Sequence, residues 1–155
     1  MQALHATALI ALFLIAATIA IHYEVLRVTS LRLTHLRIPG RMRIIIILTA
    51  ALASHLLHVL LYAITFLFLE DIGGFGTIDG DRGHNLEDAF YFSITSYTTL
   101  GIGDLVPTGE LRVISGTEAL NGLVMVGWTA SMTYLYMEKF WHLDGWNNSR
   151  KHKKK

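Results

Sequence analysis

Three long apolar stretches, a scarcity of charge, and one short segment too brief to cross a bilayer predict an all-α membrane protein. The 155-residue chain is 52% hydrophobic and 16% charged, against about 25% charged residues in ordinary soluble domains. The stretches run from Met1 to Tyr23, from Ile44 to Leu69 and from Val113 to Met137, and only the last holds an acid, Glu118. Each exceeds the roughly 20 residues that a helix needs to span the hydrocarbon core. Three transmembrane helices are therefore expected. Cysteine is absent, which excludes disulfides and thiolate metal sites.

The first helix is expected over residues 1–26, with Tyr23 at an interface. It lacks a basic leader, and its apolar run is too long for a secretion signal, so it reads as a retained helix. A basic connector over 27–41 could lie along the membrane surface until Pro39-Gly40 breaks it. The second helix is expected over 42–69, followed by a glycine- and aspartate-rich loop over 70–85. Asn85 is placed to cap a short helix, with Asp88 three residues on as its capping-box partner. That helix, 86–98, is about three turns long and cannot span. Chain that enters a bilayer without spanning it must be surrounded by protein or line a water-filled cavity. The third helix is expected over 110–140, with Trp141 and Trp146 as interfacial aromatics. A basic tail fills 141–155.

Charge orients the chain. Arg27, Arg32, Arg37, Arg41 and Arg43 lie between the first two helices, and Arg150, Lys151, Lys153, Lys154 and Lys155 follow the third. The positive-inside rule makes both segments cytoplasmic and the N-terminus external. The loop after the second helix, with Glu70, Asp71, Asp79, Asp81, Glu87 and Asp88 against Arg82, reads as external. It is either a solvated surface or a ring of carboxylates that concentrates cations. The basic tail reads as a topology signal, with anionic lipid as its other partner.

Between the short helix and the third span stands Ser96-Tyr97-Thr98-Thr99-Leu100-Gly101-Ile102-Gly103-Asp104-Leu105-Val106-Pro107. A cation leaving water must exchange its hydration shell for fixed oxygens. Backbone carbonyls supply them if successive residues turn to one side, which requires unusual backbone angles at alternate positions. Glycine takes those angles without a Cβ penalty, and Gly101 and Gly103 are spaced for it. The Thr-Thr-Leu-Gly-Ile-Gly-Asp string, between two membrane spans, resembles the selectivity filter of the potassium-channel pore-loop family. The resemblance covers about residues 42–140 and leaves the first helix outside.

The resemblance implies an outer helix (42–69), an outer loop (70–85), a pore helix (86–98), a filter (99–104) and an inner helix (110–140). It implies ion sites made by the carbonyls of Thr99, Leu100, Gly101 and Ile102, with the Thr99 hydroxyl innermost and Gly103 closing the strand. Thr98 ends the pore helix, Thr95 stands behind the filter, and Asp104 stands at the outer mouth. Gly122 falls at the family's hinge spacing, although close helix packing explains a membrane glycine equally well. Because one loop cannot surround an ion, a homotetramer is implied. Two positions depart from the commonest filter: Leu100 replaces Val or Ile, and Ile102 replaces an aromatic. The second departure softens the collar that Phe90, Tyr91 and Phe92 would provide.

The function expected from these residues is a potassium-conducting channel in the cell membrane, or a weakly selective cation channel on the same fold. Permeant potassium ions are the only ligands expected: no cofactor, no nucleic acid, no small-molecule substrate and no catalysis. A reading of another class rests on histidines. His55 and His58 lie one turn apart, and His5 and His22 lie on the first helix. Such a set could ligate haem iron or another metal, or sense pH at His55 and His58. Glu118 and Asn121 either hydrogen-bond behind the filter or face the conduction path.

Overall fold

The structure is a computed structural model that describes residues 2–36, 38–80 and 84–152, with side chains described only as far as residue 139. Arg37, Asp81, Arg82 and Lys153 to Lys155 lie outside the described residues, as do the side chains of Trp141, Trp146, Arg150 and Lys151. The elements in order are α1 (Gln2–His35), α2 (Gly40–Ile72), β1 (Ile78–Gly80), α3 (Leu86–Tyr97), β2 (Leu105–Pro107) and α4 (Leu111–His152).

Two expected boundaries are corrected. The connector over 27–41 is not a separate segment, because α1 continues through it to His35. Residues 27–35 contain neither proline nor glycine, and their leucines and arginines favour helix. Burial rewards the extension: Leu26 and Leu33 pack with Ile47 and Ala51 of α2. The break comes only at Pro39, which disfavours helix at Ile38. Arg43 then reaches back to the Leu36 carbonyl at 3.0 Å. At the other end, α4 runs past residue 140 to His152, so most of the expected tail is helix.

Among the described residues, α1 and α2 are long and apolar enough to cross a membrane. At 42 residues α4 has the length, but Gly116, Thr117, Asn121, Gly122, Thr129, Ser131 and Thr133 dilute its apolar character.

Helices α1, α2 and α4 pack on one another, and α3 wedges between α2 and α4. At the α3 end, Leu14, Tyr62, Phe66, Leu69, Phe92, Leu105, Leu111 and Ile114 form an apolar cluster. Phe66 and Phe92 meet there edge to face, with ring centroids 5.1 Å apart. The far end holds the Leu26, Leu33, Ile47 and Ala51 cluster, lined by Met132 and Tyr136. Between them lies a buried polar belt: Thr18, His22, Ser54, His58, Ser93, Glu118 and Asn121. In lipid, close packing and interhelical hydrogen bonds rather than apolar transfer hold helices together. The belt supplies such bonds, from Asn121 Nδ2 to Thr18 Oγ1 at 2.8 Å and from Ser93 Oγ to Glu118 Oε1.

Candidate functional site

The site begins at the cap of α3. Asn85 is extended, and its Oδ1 accepts the Asp88 N–H at 2.9 Å. Asp88 answers through its own side chain, accepting from Asn85 Nδ2 at 3.1 Å. Glu87 and Asp88 occupy the first turn, where acids suit the positive helix end. The helix closes at Thr98, whose N–H and hydroxyl both donate to the Ile94 carbonyl.

Beyond the cap the backbone turns by short-range bonds. Thr99 N–H donates to Ser96 O at 2.9 Å, while Thr95 O accepts both Leu100 N–H at 2.9 Å and Gly101 N–H at 3.2 Å. The φ angles at Thr99, Gly101 and Gly103 are +58°, +52° and +88°, and Thr99 is the one non-glycine residue with positive φ among those described. Left-handed backbone thus recurs at every second residue from 99 to 103. Two of the three positions are glycines, as the spacing predicts. The third is a β-branched threonine, for which this region costs roughly 1–2 kcal/mol. Leu100 and Ile102 stand exposed on the single subunit, at 64% and 58%. The collar aromatics face elsewhere within the subunit: Phe92 and Tyr91 pack into the α2 cluster, and Phe90 packs with Val59, Tyr97 and Met125.

The chain after Gly103 is clamped. Asp104 Oδ1 accepts the Leu105 N–H at 3.1 Å. Strand β2 then pairs antiparallel with β1, with Ile78 opposite Pro107 and Gly80 opposite Leu105. The Phe75 carbonyl accepts the Glu110 and Leu111 N–H groups, 2.6 and 3.1 Å away, at the start of α4. Of the outer-loop acids, Glu70 turns inward to accept the Ile78 N–H and to sit 3.4 Å from His84 Nδ1. Asp79 accepts the Thr77 hydroxyl. These two acids hold the loop together.

Against the last turn of α3, a Cβ added at Gly122 would lie 2.0 Å from the Tyr97 carbonyl oxygen, whereas Gly116 and Gly127 have open space. Gly122 is therefore a backbone-to-backbone contact between α4 and the last residue of α3. Thr95 is buried, with its hydroxyl on Phe92 O. Ser96 and Ser115 hydroxyls meet at 3.1 Å and tie the same turn to α4. Glu118 and Asn121 both lie within the subunit's packed interior, Glu118 against Ser93 of α3 and Asn121 against Thr18 and Tyr62.

A family of known proteins described as "Ion channel" matches residues 54–139, more than half of the chain. The chain belongs to that ion-channel family. The inward rectifier potassium channel Kirbac3.1 of Paramagnetospirillum magnetotacticum is 33% identical over 75 residues, which cover 48% of this chain and 24% of that protein. Two-pore potassium channel 1 of Arabidopsis thaliana is 36% identical over 61 residues, 39% of this chain and 17% of that protein. The channel thus spans a quarter or less of these two relatives' own length. No solved structure matches it. The family match takes in α3, the segment 98–104 and most of α4, and it leaves α1 outside. The family is one of ion conduction, not of catalysis.

The structure of the channel also gathers residues that the sequence left apart. His55 and His58 do meet, but His22 of α1 joins them, and His5 is exposed. Tyr97 and Thr129 complete the group, although nothing in their spacing marked them. The one legible sign was that ionisable residues inside a span require partners.

Proposed function

We propose that the channel conducts potassium through a homotetrameric pore whose ion sites are the carbonyls of Thr99, Leu100, Gly101 and Ile102, with the Thr99 hydroxyl innermost. The observation that carries this reading is the left-handed backbone at Thr99, Gly101 and Gly103 within Thr-Thr-Leu-Gly-Ile-Gly-Asp. Such alternation lets successive carbonyls point to one side and replace a hydration shell. One strand offers one side of a cage, and fourfold assembly supplies the rest. The exposed Leu100 and Ile102 then pack against neighbouring subunits, whose half-buried Phe90 and Tyr91 supply the collar.

In this reading α4 is the third span. It is less apolar than α1 and α2 because one of its faces lines the pore and another packs on α3. The N-terminus is external and the basic C-terminal end cytoplasmic, where it can meet anionic lipid. Asp104 stands at the outer mouth. Gly122 acts first as a packing site for Tyr97, and any hinge there would have to part the two backbones. The names of the relatives, both potassium channels, favour potassium as the permeant ion.

Purified protein in liposomes should pass potassium in preference to sodium, and its detergent-corrected mass should be four times 17.3 kDa. Thr99→Ala should weaken ion binding and barium block while leaving the tetramer folded. Ile102→Tyr should raise the potassium-to-sodium ratio by stiffening the collar. A stable monomer, or conduction and block unchanged in Thr99→Ala, would sink the reading.

A further inference from the structure

A second site lies in the polar belt, apart from the filter strand. His22 of α1 and His55 and His58 of α2 each offer a ring nitrogen, and the three nitrogens lie within 4.8 Å of one another. Three hydroxyls alternate with the three imidazoles around a closed circuit. Ser54 Oγ bridges His22 Nδ1 at 3.1 Å and His58 Nε2 at 3.3 Å. Tyr97 Oη bridges His58 Nδ1 at 3.1 Å and His55 Nδ1 at 2.9 Å. Thr129 Oγ1 bridges His55 Nε2 at 2.9 Å and His22 Nε2 at 3.0 Å. His22 and His58 are completely buried.

The proton inventory of this circuit is informative. A neutral imidazole has one N–H and one bare nitrogen, and a hydroxyl donates once. Three of each give one proton for every bond, all running in one direction around the ring. The circuit is complete when all three histidines are neutral. Each then holds one lone pair, the form in which histidine binds metal. If each bare nitrogen turns to an ion, each remaining N–H still donates to its hydroxyl. That is the outer-shell partner which fixes the tautomer and orientation of ligating histidines.

We propose that His22, His55 and His58 form an intramembrane site for a borderline transition-metal cation of the Zn2+ type, with Tyr97 among the hydroxyls that hold the imidazoles from outside and a small ligand such as water in the fourth position. Tetrahedral Zn2+ takes nitrogen ligands at about 2.0–2.1 Å, which sets their mutual separation near 3.3 Å. The imidazoles therefore close in by on the order of 1 Å each. Nitrogen donors disfavour Mg2+ and Ca2+, which take oxygen. A route exists: His55 and Thr129 line a groove of about 490 Å3 on the α2–α4 surface, beside Tyr134 and Met137. An ion here would tie α1 and α2 to Tyr97, the residue just before Thr98. The proposal does not depend on which ion the filter passes.

The test uses the full chain, purified without a histidine tag, stripped by chelator and titrated with Co2+ alone, then with Zn2+. The expected result is one Co2+ per chain with the visible bands of four-coordinate cobalt, displaced by Zn2+. Replacing His22 or His58 with Gln should weaken binding by more than about a hundredfold, beyond the range for losing an outer-shell partner alone. X-ray absorption at the zinc edge of the wild-type protein covers the case in which those variants fail to fold, and it should show three imidazoles. Absence of saturable binding to the wild type would overturn the site. So would an absorption spectrum with fewer than three imidazoles, or binding unchanged in the triple Gln variant, which would place the metal on other histidines such as His35 or His84.

Discussion

The last turn of α3 separates two regions built on opposite plans. On one side, Thr98 to Asp104 form a segment shaped by its own backbone: Thr95 O and Ser96 O receive the N–H groups of Thr99, Leu100 and Gly101. On the other, the Tyr97 hydroxyl enters a ring of side chains drawn from all four helices, with all partners but Ser54 and His58 lying 32 to 107 residues apart. The first region is main chain and contiguous. The second is side chain and dispersed. Damage to the first should therefore remove ion sites and spare the fold, while damage to the second should loosen the packing of helices and reach the filter only through Tyr97.

The hardest blow to this contrast is Gly122→Ala, because it strikes the residue the two regions share. A methyl 2.0 Å from the Tyr97 carbonyl oxygen meets backbone that has little room to give. Overpacking of this kind costs about 1–3 kcal/mol, and both thermal stability and flux should fall. Gly116→Ala and Gly127→Ala, with open space at Cβ, should leave the melting temperature level or raise it. Equal losses at all three positions would show that the contact with Tyr97 is not the reason.

Tyr97→Phe sharpens the contrast from the ring side. It strands one nitrogen each of His55 and His58, and a buried polar group without a partner costs about 1–3 kcal/mol. Differential scanning calorimetry should show the loss in the melting transition. An unchanged melt would mean that the ring adds nothing to packing.

Gly101→Ala tests the filter side. A left-handed alanine costs roughly 1–2 kcal/mol, so the melt should shift modestly while potassium flux collapses. Flux retained at the wild-type level would break the assignment of this strand to conduction. The smallest effect is expected at the far end of α3. Asn85→Ala removes the cap on the Asp88 N–H and should cost about 1 kcal/mol, lowering stability without changing selectivity. A changed selectivity ratio in this variant would show that the filter depends on the outer end of α3 as well as on its last turn.

Much of the fold was legible because its signals are local. Apolar runs of bilayer length announced α1 and α2, and the Asn85 and Asp88 pair announced the start of α3. Gly101 and Gly103 announced positive φ because glycine alone takes it freely. The β1–β2 pairing leaves no such signal, since strands of three residues are too short to carry a periodicity. Nor is the extension of α1 to His35 a local matter: charge marks the segment as basic, while burial of Leu33 against Ile47 decides its shape.

By itself the sequence determined the kind of protein and the left-handed backbone at Gly101 and Gly103, since both depend on neighbours in the chain and on backbone rules that act residue by residue. Tertiary structure alone decided that His22 meets His55 and His58, that Tyr97 and Thr129 bridge them, and that Gly122 receives the Tyr97 carbonyl. Those contacts depend on how each helix is rotated and slid against the next. With 3.6 residues per turn, a change of one residue swings a side chain by about 100°, and neither length nor composition specifies that angle. Packing does.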